Sequence, residues 1–250
     1  MFEMWLLSSL CISSIVILLL RTNSKYLKQK LFSLIVKSSG TLNLSTCLEP
    51  YKRQLFSTLN QMLSHDSALA EGGVGCIRIL EIGIGSGNNL KFYPNNTHLI
   101  AVEPNPYFDS CFEKKLGDFP HIVLEKSITG SAEDMSDIED NSVDVVVSTH
   151  VLCSVNDIKQ CLKEIRRVLQ PNGRFIYVEH VSYESGSVYQ KIQTWVEYIW
   201  KMFNDDCKLT LHTSQYIRDA DFSSIEEQSI IVNELLITLI RPHIFGIAYK

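Results

Sequence analysis

The chain has 250 residues, 45% of them apolar and 20% charged, with a formal net charge of −5. That length holds one α/β domain with a full core plus a terminal extension, and the composition leaves no room for a long disordered tail. The negative balance argues against nucleic-acid binding, which needs surplus Lys and Arg to neutralise phosphate.

Met4 to Leu20 is an uncharged, mostly apolar run, about 26 Å long as a helix and at the lower edge of spanning length. Glu3 precedes it and Arg21-Thr22-Asn23 follows, which suits a retained anchor better than a cleaved signal peptide. Arg21, Lys25, Lys28, Lys30 and Lys37 then keep the bulk of the chain on the cytosolic side. Leu31 to Val36 is a second apolar patch that suits a membrane interface. The expected organisation is an anchor with its basic flank over residues 1–37, a helical lead-in over 38–75 and one catalytic domain over 76–250. In the lead-in, Leu48 to Leu63 carries an apolar helical stripe that puts Lys52 and Arg53 on the polar side.

Cys76 to Ile82 is an apolar run of strand length, followed by Gly83, Gly85 and Gly87 and then a helix start. Strand, glycine turn and helix together make a ligand-binding expectation out of a glycine pattern. A dinucleotide site spaces its glycines G-x-G-x-x-G and holds a pyrophosphate. Here the spacing is G-x-G-x-G, and Glu81 stands at its mouth. A carboxylate there repels phosphate and suits a cation such as S-adenosylmethionine, which carries a sulfonium and an ammonium. His98 to Glu103 is a second strand stopped by Pro104-Asn105-Pro106, and Glu103 stands where a βαβ unit presents a carboxylate to ribose hydroxyls.

Asn105 to Leu116 reads as a helix, Ile122 to Glu125 as a third strand, and Ser131 to Met135, with Ala132 and Glu133, as the loop toward the adenine. Val143 to Thr149 is β-branched and nearly all apolar, the mark of a central parallel strand, with Thr149 and His150 at its end. Val155 to Leu169 is an amphipathic helix stopped by Pro171-Asn172-Gly173, and Phe175 to Glu179 is a fifth strand leading to His180. Val188 to Phe203 is a helical insert over the carboxyl ends of the strands. Tyr216 to Phe222 is a short helix, and Ile225 to Ile240 and Ile244 to Tyr249 are two closing strands. This alternation argues for a parallel, doubly wound sheet. The seven cysteines include no C-x-x-C pair; they fit reduced thiols, and no metal is expected.

Glu81 to Gly87, Glu103 and the Asp144 strand resemble a class I S-adenosylmethionine-dependent methyltransferase. Leu-Glu-Ile-Gly-Ile-Gly-Ser-Gly-Asn-Asn-Leu-Lys-Phe-Tyr-Pro (80–94), Val-Leu-Cys-Ser-Val (151–155), Val-Glu-His-Val (178–181) and Arg-Pro-His-Ile-Phe-Gly-Ile-Ala (241–248) narrow the resemblance to the membrane-anchored thiol S-methyltransferases, the methyltransferase-like protein seven family. The resemblance implies a Rossmann-like α/β fold with a mostly parallel seven-stranded sheet, preceded by an N-terminal hydrophobic anchor helix. It implies S-adenosylmethionine as cofactor, bound by Glu81, Gly83, Gly85, Gly87, Glu103, Ala132, Glu133 and Thr149. It also implies a small lipophilic thiol or hydrogen sulfide as acceptor, at the endoplasmic-reticulum membrane or lipid droplet. A thiol reacts as thiolate, so a base near the acceptor is expected; His180 and His150 are the candidates, with His243 a third. Methylation of a membrane lipid or quinone is the alternative chemistry, and a non-catalytic cofactor-binding membrane protein the alternative class.

Overall fold

The computed structural model describes residues 25–38 and 44–250. The run Met4–Leu20 lies outside the described residues. Among the described residues no helix is long and apolar enough to cross a membrane.

Seven strands form one sheet in the order β3-β2-β1-β4-β5-β7-β6. They are β1 (Arg78–Ile82), β2 (Thr97–Val102), β3 (Ile122–Ile128), β4 (Val143–Thr149), β5 (Leu169–His180), β6 (Ser224–Ile231) and β7 (Pro242–Tyr249). The first five pair in parallel, and β7 runs antiparallel between β5 and β6. The doubly wound sheet expected from the sequence is therefore present. β4 is buried at every residue except Thr149, as a β-branched run between two layers must be. Ile79, Val145, Val147 and Ile176 pack on one face, and Leu80, Ile82, Val146 and Phe175 on the other. Burial of each such side chain stabilises the fold by about 1.5–3 kcal/mol.

Chain order reverses between β1 and β4, which opens a crevice at their carboxyl ends, the place where open α/β sheets bind ligands. At the opposite end of β4, buried Asp144 accepts hydrogen bonds from Ser64 Oγ (2.7 Å), the His65 amide (3.0 Å) and the Arg78 amide (2.8 Å), tying the lead-in to the sheet.

The helices are α1 (Lys25–Ser38), α2 (Leu44–Ser57), α3 (Ser67–Ala70), α4 (Asp109–Leu116), α5 (Ile158–Val168), α6 (Val188–Phe203) and α7 (Thr213–Arg218). Asp157 caps α5 through the amides of Lys159 and Gln160, and Ser187 caps α6 through the amide of Gln190. α1 lies across the end of β2: Gln29 donates to the Pro104 carbonyl and accepts from Asn105 Nδ2, both at 3.0 Å. Phe32 packs edge-on against Phe108, so the Leu31–Val36 patch is partly spent on the domain, while Leu34 stays exposed.

Three expectations need correction. The glycine turn leads into turns and a 3₁₀ segment, Leu90–Phe92, not an α-helix, because Asn89 and Tyr93 point inward to Glu81 and Pro94 stops the chain. The strand expected over 225–240 ends at Ile231. Just beyond it the Val232 amide donates to the Arg241 carbonyl and Arg241 Nε donates to the Val232 carbonyl, and Leu235–Ile240 is a 3₁₀ helix. Lys52 is not on a polar face; it is buried.

Candidate functional site

The turn after β1 needs glycine for two separate reasons. Gly83 has φ +61°, and a Cβ there would stand 2.4 Å from Val151 Cγ2. Gly85 has φ +52°, and a Cβ there would meet nothing nearer than the Gly83 carbonyl at 4.0 Å, so this face of the turn is open. The Gly85 amide donates to Glu103 Oε2 at 2.8 Å, and the Asn105 amide to Glu103 Oε1 at 2.9 Å. Glu103 thus spans the glycine turn and the loop after β2. Burial raises its carboxyl to about 7, against the lowering effect of the two amides.

Glu81, almost fully buried, accepts from Asn89 Nδ2 at 2.8 Å and from the Tyr93 hydroxyl. Burial raises it to about 7, the hydrogen bonds of Tyr93 and Asn89 and the charge of Lys52 working the other way. Lys52 Nζ donates to Asn89 Oδ1 at 2.9 Å, and Asn89 Nδ2 also reaches Thr149 Oγ1 at 3.0 Å. Burial lowers the Lys52 ammonium to about 8. A chain Lys52–Asn89–Glu81–Tyr93 therefore underlies the glycine turn. Lys52, Asn89 and Tyr93 were missed in the sequence; the one available signal was a lysine three residues before the buried Leu55-Phe56 pair of the same helix.

In the loop after β3, Ala132 is buried, and Glu133 accepts from Ser131 Oγ (2.6 Å) and the Asp157 amide (2.5 Å). Glu133 thus holds that loop to the start of α5.

The three histidines meet at the carboxyl ends of β4, β5 and the start of β7. His150 has φ +57°, and its Nε2 lies 3.0 Å from His243 Nε2. His243 Nδ1 is 3.1 Å from the Arg241 carbonyl, so that nitrogen carries the proton and Nε2 accepts. His150 Nε2 therefore donates, which leaves the basic lone pair of His150 on Nδ1. Burial and the neighbouring His243 hold His150 well below the usual imidazole range, and burial lowers His243 to about 4. Both are neutral at physiological pH. His180 turns away from this pair. Its Nε2 is 3.0 Å from Cys207 Sγ, and it is almost wholly buried. Burial works to lower its pKa, but its interaction with Cys153 outweighs that and raises it. Next to it, buried Glu179 accepts from Ser148 Oγ (2.6 Å) and the Val151 amide (3.1 Å), and burial raises its pKa.

Residues 80–177 match the family model described as a methyltransferase domain. The chain is 36% identical over 199 residues to human thiol S-methyltransferase TMT1A, covering 80% of this chain and 78% of that protein. It is also 36% identical over 205 residues to human thiol S-methyltransferase TMT1B, covering 81% and 80%. A more distant match is the ubiquinone/menaquinone biosynthesis C-methyltransferase UbiE of Rickettsia typhi, 32% identical over 115 residues, 43% of this chain and 46% of that one. Among solved structures, a Thermotoga maritima SAM-dependent methyltransferase superposes with a TM-score of 0.60 at 18% identity, covering 89% of this chain and 99% of that one. At that identity the likeness concerns the fold.

Proposed function

We propose a small lipophilic thiol as the methyl acceptor of this chain, which belongs to the class I S-adenosylmethionine-dependent methyltransferases and, within them, to the family of the thiol S-methyltransferases. The observation that carries the thiol reading is the 36% identity to two human thiol S-methyltransferases across four-fifths of the chain.

The cofactor is S-adenosylmethionine, which supplies an electrophilic methyl group on a sulfonium. The residues assigned to it fit its chemistry. Two acids stand at the ends of β1 and β2 with their carboxyls raised to about 7 by burial, a deficit of positive charge that a cationic ligand relieves. The open face of Gly85 admits the ligand to the backbone, and Glu103 has the two oxygens that ribose hydroxyls require. Thr149 is oriented by Asn89 at the same crevice.

Of the two candidate bases, His150 is the better placed. Its tautomer is set by the relay from the Arg241 carbonyl through His243, which leaves the lone pair of a neutral ring on Nδ1, while burial and the neighbouring His243 disfavour a lasting imidazolium there. A free thiol has pKa about 8.5, so at pH 7 only a few per cent is thiolate, and a local base raises that fraction. His243 is a positioning residue in this scheme, and His180, whose Nε2 faces Cys207 Sγ at 3.0 Å, takes no part in it. An open cavity of about 560 Å³, lined by apolar Val181, Tyr189, Ile230 and Pro242 and by polar Ser182 and Glu184, lies on the His243 side of that relay.

The same reading includes a membrane surface, at the endoplasmic reticulum or lipid droplets, with the catalytic domain facing the cytosol. α6 exposes Val188, Tyr189, Ile192, Trp195, Tyr198 and Ile199, spaced as one helical face, with Trp195 87% exposed. Tyr189 joins that face to the rim of the cavity. α1, which follows the run Met4–Leu20 and carries Lys25, Lys28 and Lys30, is tethered beside α6 by the 3.3 Å pair of Lys28 with Asp206.

Incubating the purified protein with S-adenosylmethionine and a panel of alkyl thiols, a reduced quinone and a phospholipid, with products identified by mass, tests the proposal. S-methyl products are expected; methylation confined to the quinol or the lipid would replace the thiol reading.

A further inference from the structure

We propose that Cys153, His180 and Cys207 form a buried site for a zinc-type divalent ion that pins the helical cover to the carboxyl edge of the sheet. The donors come from three segments: the loop after β4, the last residue of β5 and the loop after α6. Their ligand atoms lie within 4.8 Å of one another, and all three residues are buried.

The geometry suits a tetrahedral ion. Zinc binds sulfur at about 2.3 Å and imidazole nitrogen at about 2.0–2.1 Å, which sets neighbouring ligand atoms about 3.6–3.8 Å apart. The 3.0 Å separation of His180 Nε2 from Cys207 Sγ and the 4.8 Å bound on the group bracket that spacing. Side-chain adjustments of about an ångström therefore close the group on an ion.

Charge and hydrogen bonding point the same way. Two thiolates, a neutral imidazole and a divalent cation sum to zero, so the loaded centre is tolerated in the interior. The polar partners of buried His180 at Nε2 are thiols, which are weak hydrogen-bonding groups. A metal–nitrogen bond at Nε2 compensates that ring better than a thiol does. Two sulfurs and an imidazole select a borderline-soft metal over magnesium or calcium.

Loading forms two metal–sulfur bonds and one metal–nitrogen bond. The two S–H protons leave to buffer and no electron is transferred. Among the described residues no further His, Cys or carboxylate joins the group, so the fourth position is left to water or an exogenous ligand. The ion would bind α6 and its exposed apolar face to the strand ends that carry the site.

The full-length protein in detergent, purified without chelators, is analysed for metal, then stripped and titrated with Co²⁺ alone. The proposal expects one equivalent of zinc as purified. It expects one equivalent of Co²⁺, with a thiolate-to-cobalt charge-transfer band and the ligand-field bands of a tetrahedral centre. Cys153→Ser and Cys207→Ser lose both signals while still binding S-adenosylmethionine, which shows that they fold; Cys161→Ser, a buried cysteine outside the group, keeps them. Wild type that binds S-adenosylmethionine but takes up neither metal overturns the proposal. So does a charge-transfer band that survives in Cys153→Ser/Cys207→Ser, or a Cys153–Cys207 disulfide in place of the metal. None of these readouts depends on the acceptor, so the thiol reading stands or falls separately.

Discussion

Replacing Glu103 with Gln leaves the size of the side chain unchanged and removes one acceptor. Both carboxylate oxygens are engaged, one by the Gly85 amide at 2.8 Å and one by the Asn105 amide at 2.9 Å. A glutamine offers one oxygen, so its NH₂ must face one of two N–H donors. A ribose hydroxyl bonded to the charged carboxylate contributes about 1.5–3 kcal/mol, so loss of that bond should make S-adenosylmethionine bind about 10- to 150-fold more weakly to Glu103→Gln at pH 7.5. The pH profile provides a second check. Glu103 and Glu81 both titrate at about 7, and the ionised forms hold the cationic cofactor. Below pH 7 the association constant of wild type should fall by up to about two decades per pH unit, one for each acid. Glu103→Gln should retain only the Glu81 part, about one decade per unit. Calorimetric titration between pH 6 and 8.5 reads both quantities. Wild-type affinity in the variant, or an unchanged slope, would refute the assignment of Glu103.

Lys52→Met removes the cation nearest Glu81, so the pH midpoint for cofactor binding should move upward from about 7, as calorimetry would register. A lysine whose folded pKa is depressed to about 8 costs stability below that pH, a cost that fades as pH rises toward the unfolded value near 10.4. Wild type should therefore gain on the order of 3 kcal/mol relative to Lys52→Met between about pH 8 and 10.4, measured by denaturant unfolding. His150→Ala should lower kcat by about 10²-fold or more at pH 7, with the deficit shrinking above about pH 8.5, where the thiol ionises unaided. His243→Asn should show a smaller loss of the same pH form; a pH-independent loss in either variant would remove the base assignment. Gly83→Ala forces a side chain into a positive φ and to 2.4 Å from Val151, about 2–5 kcal/mol in total, and should lower Tm on the order of 10 °C. Trp195→Ser/Tyr198→Ser should weaken binding to phospholipid vesicles without changing S-adenosylmethionine affinity; unchanged sedimentation with vesicles would remove α6 from the membrane reading.

The sheet was legible because Val143–Val147 and Ile79–Ile82 are apolar at lengths a strand fills, and the glycines and acids stand at fixed offsets from those strands. What escaped depends on side chains that cross between elements. Lys52 sits beside Arg53 on a helix whose apolar stripe gives no reason to bury either, yet it reaches Asn89 across the glycine turn. The 225–240 run is rich in strand-forming residues, but Asn233 and Glu234 interrupt it where Val232 and Arg241 close a turn. Cys153, His180 and Cys207 have no motif spacing; only the topology of β4, β5 and α6 brings them together. His150, His180 and His243 were all legible as candidates, while the pairing of His150 with His243 and of His180 with Cys207 was not.

Transfer of a methyl group from S-adenosylmethionine to a small thiol is the reaction proposed for the residues at the ends of β1, β2 and β4. Mass-spectrometric detection of the S-methyl product of an alkyl thiol, with wild type and His150→Ala compared at pH 7, tests it most directly. Wild type should give the S-methyl product, and the variant at least about 10²-fold less. A wild-type protein that binds S-adenosylmethionine and methylates no thiol would contradict the proposed reaction.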